Sequence, residues 1–367
     1  MLVCLIHMNN NNNKRKLMNN FKKVGLSALA GSLAMFSANA VEYTVSGDAQ
    51  AVYSSADQKG DSSGVGTGKG LGVDTDLYFN ASGELDNGFT VSVFTALDLE
   101  QSNTATAGGI NSSAQLTIGM GSLGTIQFND VFGSAATSID DVMPKAYEEP
   151  WDGSNHAAST HSFGSSTQSG SVDYRSPAFS IGSGLTISGA LTYDPNAGAG
   201  PASAGGVAAS ASSGEAAVIK IVSDTGLTIG AGLEETSAPE PNSGGVDRST
   251  VYALYAMGPV SVGYQETYVN SAHNAEIAAS TGADIEAEMM AIALTQGDFS
   301  VSYAEQNETT KAVSATAALL EVEMSALQAA YSMGAMTAAI SFYETDNVGG
   351  VTAATYEETE LSVSFAF

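Results

Sequence analysis

From Val41 to the C-terminus the chain alternates apolar and polar side chains, in runs of about ten residues that break at Gly, Asp, Asn or Ser. Side chains two residues apart share one face of an extended strand, so this period specifies amphipathic β-strands and excludes helices. In the last run Leu361, Val363, Phe365 and Phe367 lie on one face, with Glu360, Ser362, Ser364 and Ala366 on the other. Similar rows occur at Tyr43-Val45-Gly47-Ala49-Ala51-Tyr53, Phe89-Val91-Val93-Thr95-Leu97-Leu99 and Met336-Ala338-Ile340-Phe342. The sequence divides into sixteen such strands, seven short turns and eight long polar connections. Asn87-Gly88 is the clearest hairpin turn, and Asn129 to Gly170 is the longest connection. One end of the folded chain is therefore smooth and the other ragged.

Strand patterning alone also suits a soluble sandwich, and three arguments decide against it. A chain of this size would split into packed domains with shifts in composition between them, whereas the pattern here is uniform to Phe367. Strands of about 9–11 residues match a tilted bilayer crossing, and lipid demands a closed sheet because an open edge would leave backbone groups unpaired. An even count near sixteen encloses a water column in place of a core. The fold class read from the sequence is thus all-β: a transmembrane antiparallel β-barrel of sixteen strands with short periplasmic turns and long external loops. Aromatic residues fall at strand ends, Phe89 and Phe299 after tight turns and Tyr53, Tyr193 and Tyr303 near long loops, as two interfacial girdles require.

Composition removes other classes. Only 12 Lys+Arg stand against 39 Asp+Glu, a formal charge of −27, so there is no basic surface to track phosphates and nucleic-acid binding is excluded. A hydrophobic content of 43% argues against wholesale disorder. Lys22 and Lys23 precede an apolar stretch from Val24 to Phe36 and then Ala38-Asn39-Ala40, the form of a cleaved export signal. Residues 1–40 are read as signal peptide, with 1–17 an upstream mis-start before Met18, and 41–367 as one barrel domain. Five cations and the single cysteine, Cys4, lie in the removed segment, leaving 7 − 39 = −32 on the mature chain.

Three segments carry a family resemblance: the terminal Leu361-Ser362-Val363-Ser364-Phe365-Ala366-Phe367, the Tyr174-Arg175-Ser176-Pro177-Ala178-Phe179 stretch, and Gly124-Thr125-Ile126-Gln127-Phe128 leading into the longest loop. With them the chain resembles the general porins of Gram-negative outer membranes, in particular the sixteen-stranded trimeric type found among alphaproteobacteria. The resemblance implies an outer-membrane homotrimer in contact with lipid, delivered by periplasmic chaperones and the barrel assembly machinery, with Phe367 as the assembly signal. It also implies that the third long loop folds into the lumen and narrows it. Asp140, Asp141, Glu148, Glu149 and Asp152 would then line the constriction beside the sole tryptophan, Trp151, facing basic wall residues. Arg175 alternates with Tyr174, and Lys220 with Ile219 and Ile221, so both cations are expected to point inward. With few wall cations against several acids, the expected channel passes small hydrophilic solutes and ions and prefers cations.

Other constellations are weaker. His156 and His161 in the long loop lack a third placed metal ligand and read as loop histidines. Glu234-Glu235 and Glu357-Glu358 are candidate ligands for a weakly bound Ca²⁺ at the outer rim, without EF-hand spacing. No cofactor is expected. The Gly64 to Gly72 segment lacks P-loop spacing, and neither a G-x-S-x-G elbow nor H-E-x-x-H occurs, so the chain reads as a non-enzyme. The alternatives are a substrate-specific outer-membrane channel and an adhesive or structural surface β-protein.

Overall fold

The computed structural model describes residues 42–60, 67–98, 111–150, 162–167, 170–197, 212–237, 245–271, 283–312, 320–348 and 351–367. The signal-peptide reading of residues 1–40 lies outside them. The strands are β1 (Glu42–Lys59), β2 (Gly68–Glu84), β3 (Thr90–Asp98), β4 (Asn111–Gly119), β5 (Thr125–Asp130), β6 (Ser171–Arg175), β7 (Phe179–Gly182), β8 (Leu185–Ala197) and β9 (Ser212–Ser223). The second half comprises β10 (Leu227–Thr236), β11 (Val246–Met257), β12 (Val260–Ser271), β13 (Ala283–Gln296), β14 (Phe299–Ala312), β15 (Leu320–Met333), β16 (Met336–Asp346) and β17 (Thr355–Ala366). Apart from β6 and β7, neighbours in sequence pair antiparallel all the way round, and β17 returns to pair with β1.

β6 and β7 both pair with β8, so they form a single stave interrupted at Ser176-Pro177-Ala178, and the barrel has sixteen staves. Pro177 has no N–H to give to the ladder, which is why the stave breaks there. The seven short turns fall where the sequence placed them. Gly297 and Gly334 open two-residue turns with φ of +61° and +62°, a backbone that strand-matched hairpins need and that β-carbons disfavour.

Burial is inverted relative to a water-soluble domain. Gln265, Gln306, Gln328 and Ser341 are fully or almost fully buried on the inner face, while Ile292, Phe342 and Leu361 are close to half exposed on the outer one. An apolar exterior around a polar interior is what lipid outside and water inside select.

The strands are longer than the 9–11 residues expected: β13, β14 and β15 each have 14, and β1 has 18. The lipid-facing rows are not longer. On β13 the outward row passes from Leu294, Ile292 and Met290 to Glu288 and Glu286, and on β14 from Tyr303 to Glu305. The extra length lies above the apolar band, because the backbone ladder bonds equally well whatever side chains flank it. Tyr303 donates to Glu305 at 2.6 Å, and Tyr264 and Tyr268 donate to Glu266, marking that boundary.

β15, with the sequence LEVEMSALQAAYSM, alternates less sharply than its neighbours. β15 presents Met324, Ala326 and Ala330 inward, and β13 presents Met289, Ala291 and Ala293, all buried. This part of the inner wall is covered by other protein, so it need not be polar.

The closing seam between β1 and β17 continues to the last residue. The Phe367 N–H donates to the Gly47 carbonyl at 2.8 Å and the Gly47 N–H to the Phe367 carbonyl at 2.7 Å. A β-carbon on Gly47 would meet the Asp76 carbonyl at 2.6 Å and the Phe367 ring at 2.9 Å. The Gly47→Val variant should therefore lose about 1–3 kcal/mol from forced overpacking. Its heat-modifiable gel shift should occur at a lower temperature than that of the parent barrel, and an unchanged transition would contradict a tight seam.

Candidate pore constriction

The chain leaving β5 crosses the inner wall. Residues 131–150 reach in turn the inward side chains of β12, β14, β15, β16 and β1, and the contacts to β12, β14 and β15 satisfy backbone groups that water would otherwise have to serve. The Val142 N–H donates to Gln265 Oε1 at 3.2 Å, and Gln265 Nε2 returns bonds to the Ile139 and Asp140 carbonyls at 2.8 and 2.9 Å. The Ala146 N–H donates to Ser302 Oγ at 2.8 Å and the Tyr147 N–H to Gln328 Oε1 at 3.0 Å. Gln50 Nε2 on β1 donates to the Tyr147 hydroxyl at 3.0 Å. Burial pushes that hydroxyl well above the usual tyrosine range, so it remains a neutral phenol.

Apolar contacts follow the same path. Met143 packs on Met289, Ala291 and Ala304, and Ile139 and Phe163 pack on Ala216 and Tyr252. Gly232 and Gly263 make room for the loop: a β-carbon on Gly232 would meet the Phe163 ring at 2.5 Å, and one on Gly263 would meet Pro144 at 2.7 Å.

Two buried wall carboxylates clamp the loop at its ends. Asp173 accepts the Ala135 N–H at 2.8 Å, the Thr192 hydroxyl at 2.7 Å and Arg175 Nη2 at 2.9 Å. Glu234 accepts the Gly164 N–H at 3.0 Å and lies 3.3 Å from Arg248 Nη1. In each case a carboxylate without solvent is balanced by one guanidinium and also accepts a loop backbone N–H.

The sequence-derived site residues therefore have several different roles. Glu148 accepts the Tyr343 hydroxyl at 3.1 Å, and its carbonyl accepts Gln328 Nε2. Glu149 is buried against Lys145, which neutralises it. Asp140 accepts the Phe163 N–H, and Asp141 accepts the Met143 N–H at 3.3 Å. Asp152, Trp151, His156 and His161 lie outside the described residues. Arg175 has the inward parity expected, but it is bound to Asp173 on its own strand instead of standing opposite the loop acids. Lys220, paired in register with Gly230 and Ser188, also has inward parity and is exposed, three residues from the end of β9.

The paired-glutamate reading of a Ca²⁺ rim is corrected. Successive residues on a strand point to opposite sides. Glu234 and Glu358 are buried inward, whereas Glu235 and Glu357 face out, so neither pair can grip one ion.

Sequence reasoning missed Asp173, Glu234 and Arg248 as anchors, and it missed the opposite wall. There Asp48 on β1, Asp74 and Asp76 on β2, and Asp98 on β3 share the inward parity of Gln50, with Asp48 beside Asp76 and Asp76 beside Asp98 in register. The carboxylate oxygens of Asp74, Asp76 and Asp98 come within 4.8 Å of one another, the one grouping among the described residues with the spacing to share a hard cation. Their positions in the alternating rows were the available signal. The lumen thus has acids on the wall where a pore of this shape could carry a basic cluster.

The chain matches the family model for Gram-negative porins over residues 25–367. It belongs to the Gram-negative porins. Solved structures agree in fold at low identity: a porin refined at 1.8 Å shares 17% identity with a TM-score of 0.60, covering 89% of this chain and 100% of its own. OmpT of Vibrio cholerae with loop L8 deleted gives 12% and 0.61 over 89% and 100%. An anion-selective porin from Comamonas acidovorans gives 11% and 0.56 over the same shares. Comparison with curated protein sequences gives no match. This porin is accordingly an outer-membrane channel, in a family known for non-enzymatic transport.

The clamps make a direct prediction. Removing one partner of a buried ion pair costs about 3–5 kcal/mol, so Glu234→Ala should release the loop's returning limb and strand Arg248. Single-channel recordings should become noisier and larger in conductance, while Glu234→Ala combined with Arg248→Met should be quieter than Glu234→Ala alone. Unchanged traces for Glu234→Ala would remove the clamp from the account.

Proposed function

We propose that this porin passes small hydrophilic solutes and inorganic ions by passive diffusion and favours cations. The observation that carries the preference is the row of Asp48, Asp74, Asp76 and Asp98 on the inner wall, set against so little free positive charge. Arg175 and Arg248 are each held by a buried carboxylate, and Lys220 is an exposed cation of inward parity. Glu148, Glu358 and Glu360 add to the same field, lining a recess of about 610 Å³ with Lys69 as its one cation. Fixed charge of one sign along a narrow aqueous path enriches counter-ions and excludes co-ions.

In the same reading, residues 1–40 are removed on export, the mature barrel assembles as a homotrimer through the barrel assembly machinery with Phe367 as signal, and transport needs no bound cofactor. The family resemblance supports these features.

The decisive measurement is the reversal potential across a planar bilayer under a potassium chloride gradient. It should take the sign of potassium permeation, and the triple variant Asp74→Asn, Asp76→Asn, Asp98→Asn should move it toward zero by at least half. Chloride selectivity in the parent channel would refute the charge reading, and a silent barrel would refute the channel itself.

A further inference from the structure

Beside the acidic wall stands a feature that ion selectivity alone does not use. Tyr78 on β2 and Phe94 on β3 share the inward parity of Asp76 and Asp98, and their rings stack with centroids 5.9 Å apart at 24°. Phe132, the second residue after β5, meets Phe94 edge to face at 4.7 Å and 63° while keeping 43% of its surface exposed. The result is a short ladder of three rings on the water side of the barrel. The Tyr78 hydroxyl donates to Asp48 at 2.8 Å and lies 3.3 Å from Asp76, which ties the ladder to the carboxylates.

Among the described residues, Phe163, Met143 and Met289 are buried between loop and wall. Phe132 is not, so the ladder keeps open ring surface in an aqueous passage. Ring faces attract cations, an effect that grows as water is excluded, and they also stack with flat apolar groups. Four neighbouring carboxylates supply the complementary charge. A small metal ion would use the carboxylates alone, and a neutral sugar would gain nothing from the charge. A ligand that uses both must join a positive charge to an apolar or aromatic body.

We infer that Tyr78, Phe94 and Phe132, with Asp76 and Asp98 beside them, form a recognition face for organic cations of this kind, such as aryl-substituted ammonium ions. The inference rests on the cation-preferring reading and adds to it a substrate class and the residues that select it. Transit along the face is then slower and more selective than free diffusion, because each passing cation pauses on the rings.

The test uses the intact channel in planar bilayers with potassium chloride on both sides, and benzyltrimethylammonium added to one side. The parent should show concentration-dependent block at a half-blocking concentration at least fivefold below that of tetramethylammonium, which has the charge without the ring. Benzenesulfonate, with the ring and the opposite charge, should not block. The double variant Phe94→Leu, Phe132→Leu keeps apolar bulk and removes two ring faces, so it should raise the half-blocking concentration of benzyltrimethylammonium about fivefold. Its reversal potential in a potassium chloride gradient should stay at the parent value.

If the double variant fails to assemble, Phe132→Leu alone, at a half-exposed position, should still raise that concentration at least twofold. Equal block by the two ammonium ions in the parent, or unchanged block in the leucine variants, would overturn the inference while leaving cation preference intact. A parent reversal potential of chloride sign would instead remove the reading on which it rests.

Discussion

Lipid cannot hydrogen-bond to a backbone, and this requirement governs the rest of the molecule. Each N–H and C=O that crosses the hydrocarbon must find a partner within the sheet, so the sheet must have no edge. The chain meets this by pairing β17 with β1 and by ending at Phe367 against Gly47, where the absence of a side chain lets the two backbones and the aromatic ring approach. Once the sheet is closed, its two faces meet different solvents. Alternation then sends Leu361, Val363 and Phe365 to lipid and Glu360 and Ser362 to the interior as consequences of the same pleat.

Closure also creates an interior too wide for side chains to fill, and the chain partly fills it with its own third loop. That segment behaves as a second inner layer. It buries Met143, Ile139 and Phe163 on apolar patches of the wall, and it hands its backbone groups to Gln265, Ser302 and Gln328. The carboxylates of Asp173 and Glu234 hold its two limbs, and the arginines that a simpler picture would set across the pore are consumed in balancing them. The electrostatic character of the passage therefore depends less on how many charges the chain contains than on which of them are left unpaired. The inward carboxylates of β1 to β3 stand together on one wall.

Much of the architecture was readable in the residues, because a period of two leaves little freedom. Strand number, the seven turns, the outward rows and the alternation of short and long connections all followed from it. Strand ends did not, since the ladder continues past the apolar band where Glu288 and Glu305 begin to replace lipid-facing residues and nothing in the local pattern marks the stop. The weak alternation of β15 has a related cause: Met324 and Ala326 point inward and are buried there, so apolar residues are tolerated on that face.

The site was legible in its parts and not in its pairings. Alternation sufficed to place Arg175 and Lys220 on the inner face, and it could equally have placed Asp48, Asp74, Asp76 and Asp98 there. It could not show that Arg175 turns to Asp173 two residues away, that Glu149 is neutralised by Lys145, or that Glu234 binds a loop amide 70 residues distant. The sequence by itself determined an amphipathic strand train, a strongly acidic chain and hence the kind of barrel it must close into, because solvent partition acts on each side chain independently of its neighbours. Only the tertiary structure decided which charges remain free and which rings line the water path, because pairing depends on distances between residues that the pleat orients but the fold alone brings together.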